Sequence, residues 1–301
     1  MAKKTRKPVQ QMTIQQFDAA FPDEDSCKEY LVRRRWPMGV RCPRCGNDKV
    51  YELKAREFHW QCQKCDKDGY RFSVYVGTIY ENTNMPLRTW FSVIYMMVTA
   101  KKGVSALQVH RTIGAGSYRT AWSMCHRIRA GLLEPKIKLG GVVEVDETYV
   151  GGDDKNRHIG KRYGATGRGA GGKTPVVGAV KRKGNVVARV VENTKTETIE
   201  KFIRETVSTR VSVICTDAYS SYRRLGRKYR HGVVDHSASE HVVGAIHTNT
   251  IEGFWSLVKR GIVGTFHKVS PKYLPLYVRE FEFRYNNRMN SDIFGAAIEG
   301  C

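Results

Sequence analysis

VVEVDETYV, residues 142–150, is the stretch that decides the fold of this 301-residue chain. Its valines, threonine and tyrosine are strand formers, and they precede two more runs of the same kind, VVGAVKR at 176–182 and VVARVVE at 186–192. Three consecutive strands are expected. After them come a helix near 196–207, a strand VSVICTDA at 211–218, a short helix SSYRRL at 220–225 and a weak strand HGVVDH at 231–236. Two helical segments follow, at 249–260 and 271–288. Three strands followed by alternating helix and strand predict an α/β sheet of about five strands.

The chain around this stretch is basic: 51 Lys+Arg against 29 Asp+Glu give a net charge of +22. With 41% hydrophobic and 10% aromatic residues it has the material for a buried core, so the excess belongs to a folded protein with a polyanionic partner, for which nucleic acid is the usual choice. No membrane partner is expected, because the longest apolar run, 90–100, is 11 residues, about half of a roughly 20-residue span. The basic N-terminus MAKKTRKPVQ leads into polar sequence rather than the apolar segment of a secretory signal, which predicts a cytoplasmic protein. In a reducing compartment, eight cysteines are not a disulfide framework.

Four of them have another purpose. Cys42 and Cys45, then Cys62 and Cys65, form two CxxC pairs separated by 16 residues, the spacing of a four-thiolate zinc ribbon. Such a site is coordinatively closed, so the zinc stabilises a small domain and does no chemistry. Cys27, Cys125, Cys215 and Cys301 lack partners at this spacing and read as core thiols. The ribbon is preceded by a helix expected over 13–35, and together they predict an N-terminal module of residues 1–80.

Residues 81–140 are expected to be helical. Pro86 opens an apolar helix, and beyond Lys101 and Lys102 a short amphipathic helix, a Gly114-Ala115-Gly116 turn and a more basic second helix give helix-turn-helix patterning. Eight Lys+Arg face one acid, Glu134, across 101–140, and Arg119, Arg127 and Arg129 on the second helix are candidate DNA contacts. The rest, 141–301, forms the α/β domain. Its Gly-rich segment 151–174 reads as a mobile basic loop able to clamp a phosphate backbone through Lys161, Arg162, Arg168 and Lys173. These glycines do not have the strand-loop-helix setting of a nucleotide-binding loop.

In so basic a chain, acids inside apolar strands are the informative residues. Asp146 lies in the first strand and Asp217 ends VSVICTDA, positions where α/β sheets place functional groups. Brought together, the two would repel unless a divalent cation lay between them, and hard oxygen ligands select Mg²⁺ or Mn²⁺. Glu252 is the best third acid. On a helix it shares a face with Trp255 and Lys259, whose cation would reach for DNA phosphate, as would Arg260. The competing reading is a near capping box, with Asn249 as N-cap and Glu252 three residues on. Asp146 and Asp217 have bland readings too, as a strand-terminal acid and a turn residue.

Several long motifs now stand together: RWPxGVxCPxCG, VGTI, PLRTWF, KKGxSALQxHR, VEVDETYVGG, KTPVVG, TDAYSSY and HTNTIEGFWSLVKRGIxGTxHKVS. Over about residues 14–288 the chain resembles the DDE-type insertion-sequence transposases of bacteria that are related to the eukaryotic Merlin elements. The resemblance implies a ribonuclease H-like catalytic domain in which Asp146 matches the first acid and Asp217 the second. At the third position some branches carry Asn, so Glu252 and Asn249 both stand as candidates, with Lys259 matching the accompanying basic residue. It further implies a bacterial, nucleoid-associated enzyme that binds double-stranded terminal repeats and target DNA as a homodimer or larger assembly. A metal-dependent nuclease that does not join strands shares every one of these residues, and a zinc-ribbon regulator shares all but the acids.

Overall fold

The computed structural model describes residues 12–132, 134–152, 158, 160, 171–234 and 246–301. The chain divides into two compact units. Everything up to Leu133 joins Asn287–Cys301 in the first, and Glu134–Asn286 form the second. The ribbon and the helices expected at 81–140 thus fall in one unit, and the C-terminal segment belongs with them rather than with the sheet.

The helix expected over 13–35 is two helices, α1 (Ile14–Ala20) and α2 (Glu24–Arg35). Pro22 disfavours helical backbone at Phe21, and Asp23 restarts the helix with its own capping box to Ser26. The ribbon is an antiparallel sheet of β1 (Tyr51–Glu52), β2 (His59–Cys62) and β3 (Tyr70–Ser73), sealed by the rings of Trp36, Trp60 and Phe72. Arg35, the last residue of α2, donates to the carbonyl of Val76 at 2.7 Å.

α3 (Leu87–Thr99) begins where Pro86 predicts and buries Trp90, Phe91, Ile94 and Met97. Its N-terminus has no cap of its own; the Glu24 carboxylate of α2 accepts the amides of Leu87 (2.8 Å) and Arg88 (3.1 Å) instead. α4 (Ala106–Ile113) ends at left-handed Gly114, and Ser117 caps α5 (Tyr118–Gly131), giving the expected helix pair with a short turn. A C-terminal helix that the sequence pattern does not announce, α9 (Ile293–Gly300), puts Phe294 among Phe17, Phe21 and Phe91.

The second unit is the mixed five-stranded sheet of a ribonuclease H-like domain. Its order is β6-β5-β4-β7-β8, where β4 is Val142–Val150, β5 Thr174–Lys181, β6 Val186–Val190, β7 Val213–Asp217 and β8 His231–Val234. The first three in sequence pair antiparallel, while β7 and β8 run parallel to β4. α6 (Thr196–Thr206) covers one face, packing Ile199, Phe202 and Ile203 on Val143, Val145 and Ile214. On the other face α7 (Asn249–Gly261), a π-helical turn Ile262–Phe266 and α8 (Leu274–Asn286) enclose Val150, Val176, Val180, Ile251 and Trp255. Period-two alternation therefore turns Val143 and Val145 toward α6, and Glu144, Asp146 and Thr148 toward α7.

The edge strand β6 is covered. Asn286 of α8 accepts from the amide of Val186 (2.8 Å) and donates to its carbonyl (3.0 Å), and Glu282 accepts from Ala188 N (3.3 Å). Side chains thereby occupy ladder groups that an open edge would offer to another strand.

Candidate metal centres and the acid cluster

The two CxxC knuckles bring their sulfurs together. Cys42 Sγ and Cys65 Sγ are 3.5 Å apart, Cys45 Sγ and Cys62 Sγ 3.7 Å, and all four lie within 4.8 Å of one another. Four thiolates at about 2.3 Å from a tetrahedral zinc would be separated by about 3.8 Å, so the donor set fits. Gly46 takes φ +71° in the first knuckle and Asn47 Nδ2 lies 3.6 Å from Cys62 Sγ.

The acid cluster forms where β7 stops. Ladder pairing of β4 to β7 runs from Val142 to Glu144, opposite Val213 to Cys215, so Asp146 and Asp217 emerge side by side just beyond it. Among the described residues, carboxylate oxygens of Asp146, Glu147 and Asp217 lie within 4.8 Å of one another, and they form the one acidic group that could hold a metal ion. Glu147 and Asp217 are 9% and 8% exposed. The buried Tyr222 hydroxyl donates to Glu147 Oε2 at 2.7 Å, and Tyr219 N donates to Asp217 Oδ1 at 3.1 Å. Asp217 thus also has the turn role that its sequence allowed.

Burial, then the charges of Glu147 and Asp217, push Asp146 up to about 8, and Glu252 pushes the same way. Like-charged carboxylates without a counter-ion hold a proton in this manner, and a divalent cation is the other way of neutralising them. Hard oxygen donors at this spacing suit Mg²⁺ or Mn²⁺.

Glu147 is the residue that sequence reading missed. Alternation assigns it to the α6 face, opposite Asp146; beyond the end of β7 side chains from both faces converge, and its adjacency to Asp146 was the only available signal. Glu252 lies outside the three-carboxylate group but near enough to act on Asp146. The capping box that competed with the metal-ligand reading, with Asn249 as N-cap, does not form. Asn249 is the exposed first residue of α7, Thr248 precedes it as N-cap, and Thr248 Oγ1 donates to Glu252 Oε1 at 2.6 Å.

What caps α7 is Glu144. Fully buried, it accepts from Thr250 N (2.7 Å) and Ile251 N (3.1 Å) through Oε2. Through Oε1 it takes Arg182 Nε (2.6 Å) and Thr250 Oγ1 (2.9 Å), with His247 Nδ1 3.2 Å away. The helix that carries Glu252 is thereby tied to the strand that carries Asp146, two residues from it.

The candidate DNA contacts separate. Arg119, Lys259 and Arg260 are exposed, and Lys173 is half-buried at the start of β5. Arg127 is spent internally, donating to Glu81 O at 2.8 Å with its guanidinium over Trp90. Arg129 is 1% exposed, so the expectation that it meets DNA does not hold in this arrangement: charge suggested the surface, but the apolar stripe of α5 rolls it inward. Lys161, Arg162 and Arg168 lie outside the described residues.

Residues 22–68 match the family described as a transposase zinc-ribbon domain, and residues 138–286 match the one described as an ISXO2-like transposase domain. The chain carries a transposase zinc ribbon followed by an ISXO2-like transposase domain. The two matches span roughly two thirds of it and cover both clusters of metal-binding side chains. An uncharacterized protein in transposable element ISH50 of Halobacterium salinarum is 27% identical over 275 residues, covering 88% of this chain and 91% of the relative. A solved simian T-cell lymphotropic virus intasome in complex with PP2A regulatory subunit B56 gamma is 16% identical, with 64% of this chain and 65% of that chain covered. This chain therefore spans just under two thirds of that one, and a TM-score of 0.28 is too low to carry an argument. A transposase role, a structural zinc ribbon and a divalent-metal acid cluster are mutually consistent. No helix among the described residues is long and apolar enough to cross a membrane.

Proposed function

We propose that this transposase binds the ends of its insertion sequence, hydrolyses a phosphodiester there and joins the freed 3′-hydroxyl to target DNA. The observation that carries the reading is the convergence of Asp146, Glu147 and Asp217 where β4 outruns β7, with α7 directing Glu252 toward the same charge. Asp146, Asp217 and Glu252 would hold two Mg²⁺ or Mn²⁺ ions. Bound there, such ions supply Lewis-acid activation of water and of the 3′-hydroxyl and offset charge on the phosphate under attack. The protein's own part is positioning: Tyr219 N orients Asp217, Tyr222 orients Glu147, and Thr248 orients Glu252. Lys259 and Arg260, exposed on the last turn of α7, would bind backbone phosphate.

Recognition of the terminal repeats is assigned to the ribbon and to α4 and α5, with Arg119 the exposed arginine of the three on α5. Bringing two ends together requires a dimer or larger assembly acting on chromosomal DNA in the cytoplasm. A second reading of the metal site puts Glu147 in place of Glu252, favoured by its membership of the tight group.

One assay tests both. A labelled terminal-repeat duplex is incubated with Mg²⁺ and target, and cleaved and joined products are counted for Asp146→Ala, Asp217→Ala, Glu252→Ala and Glu147→Ala. Loss of more than about 100-fold in both products, with end binding kept, is expected for the three ligands. Cleavage without joining would make the protein a nuclease, and wild-type activity in Asp146→Ala or Asp217→Ala would remove the site altogether. The comparison of Glu252→Ala with Glu147→Ala decides the third ligand.

A further inference from the structure

Charge that the acid cluster leaves unused follows directly after Asp217. Arg223, Arg224, Arg227, Lys228 and Arg230 stand within eight residues that contain no acid, and all five are exposed. Arg224 comes within 3.8 Å of Glu197, but both side chains are more than half exposed, at 58% and 75%, and such a pair is worth little. Among the described residues the other four make no ion pair.

Mutually repelling cations are kept here on a fixed support. Two 3₁₀ turns, Ser220–Tyr222 and Leu225–Arg227, bury Tyr222 and Leu225 against the α6-side core and leave the cations outside. Ser221 Oγ donates to Thr194 O at 2.7 Å, while Tyr222 holds Glu147 and Tyr219 N holds Asp217. The same segment therefore fixes two acids of the cluster and displays five cations along the stretch that runs from there to the start of β8, where Arg230 O accepts from Ile214 N. Four of the five are arginines, whose forked donors match phosphate oxygens. Duplex DNA, with one charge per about 1.7 Å, offers a phosphate row dense enough to meet them all.

We propose that residues 223–230 are a sequence-independent docking strip for the sugar-phosphate backbone of the target duplex, which leads the strand under attack toward the acid cluster. The proposal rests on the DNA-processing function above and adds the surface that this function uses. Contacts to phosphate carry no sequence information, which suits a target of arbitrary sequence, whereas the element's own end is assigned to the ribbon, α4 and α5.

The test uses the full-length, zinc-loaded chain with all five residues changed to Gln, R223Q/R224Q/R227Q/K228Q/R230Q. Affinity for a terminal-repeat duplex and for an unrelated duplex is measured between 50 and 200 mM NaCl. Each phosphate contact contributes about 0.9 to the slope of log K against log salt, so three or more lost contacts make the slope shallower by about 2.7 or more. That change on the unrelated duplex supports the proposal, whereas a change confined to the terminal repeat assigns the strip to the element's end and overturns it. A second variant, Lys195→Gln with Lys201→Gln and Arg204→Gln, removes exposed charge from α6. Unchanged slopes on both duplexes, or an equal loss per charge in the α6 variant, overturn the strip. A wild-type chain with no salt-dependent DNA binding would overturn the function itself. Thermal midpoints of both variants are expected within about 2 °C of wild type, since exposed side chains away from the core contribute little to stability.

Discussion

Gly178 lies across the ladder from Asp146, and there is room for nothing larger. A Cβ there would sit 2.6 Å from Cζ2 and 2.8 Å from Cη2 of Trp255, and 3.1 Å from Ile251 Cδ1. The absent side chain lets α7 lie flat on β5 opposite the first acid. Gly178→Ala is expected to cost about 1–3 kcal/mol through overpacking and to reduce cleavage by displacing Glu252, whereas Gly178→Ala with Trp255→Leu recovers much of the stability. Thermal denaturation of the two proteins checks this; an unaltered midpoint in the single variant would show that α7 is not held by the contact. Asp146 and Asp217 were legible because a carboxylate in a run of valines is costly without a purpose. Glu147 and Arg129 were not, since one depends on where a neighbouring strand ends and the other on how a helix rolls. Glu282 is a different case. Burial pushes its carboxyl up to about 7, Glu134 adds to the push, and Arg189 and Arg279 oppose it. The folded value exceeds the unfolded one, so its stabilising contribution is complete below about pH 4.5 and is lost as pH rises through 7. Glu282→Gln, which still accepts from Ala188 N, is expected to flatten this loss and to melt a few degrees above wild type at pH 8. A midpoint gap that does not close as the pH falls to 5 would refute the assignment.

At the scale of elements, the strands were readable and the helix ends were not. Strands β4 to β8 stand out because β-branched runs are bounded by polar turns, whereas α1 and α2 share one continuous apolar pattern that only Pro22 and Asp23 interrupt. α9 was missed because IFGAAIEG is short and carries glycine at its third and last positions. Caps supplied from other elements leave no local signature at all. Glu24 caps α3 and Glu144 caps α7, and neither is within 60 residues of the helix it serves in sequence. The second cap sets the register between two parts of the acid cluster, because Glu144 precedes Asp146 by two residues and Ile251 precedes Glu252 by one. Glu144→Gln keeps the shape and loses the charge that satisfies Arg182. We expect about 3 kcal/mol of destabilisation, at least ten-fold faster amide exchange at Thr250 and Ile251, and a higher Mn²⁺ concentration for half-maximal cleavage. Unchanged exchange at those two amides would mean that the cap does not anchor the helix.

On the scale of the whole molecule, the two units are stabilised by different means. The first has at its ribbon four cysteines that fit one zinc ion, and its three short strands and one aromatic cluster bury little apolar surface of their own. The second has two apolar layers on either side of one sheet, with no metal-binding thiolate in either. Zinc should therefore be required locally. Cys62→Ser, or a zinc-selective chelator, is expected to raise amide exchange in peptides spanning 40–73 toward that of unfolded chain, while peptides of β4, β5 and β7 keep their protection. End binding should fall with the ribbon, and salt-dependent binding to unrelated duplexes should persist through the cations of the second unit. Loss of protection in the sheet together with the ribbon would show that zinc supports the entire chain, and the separation into two independently cored units would then be wrong.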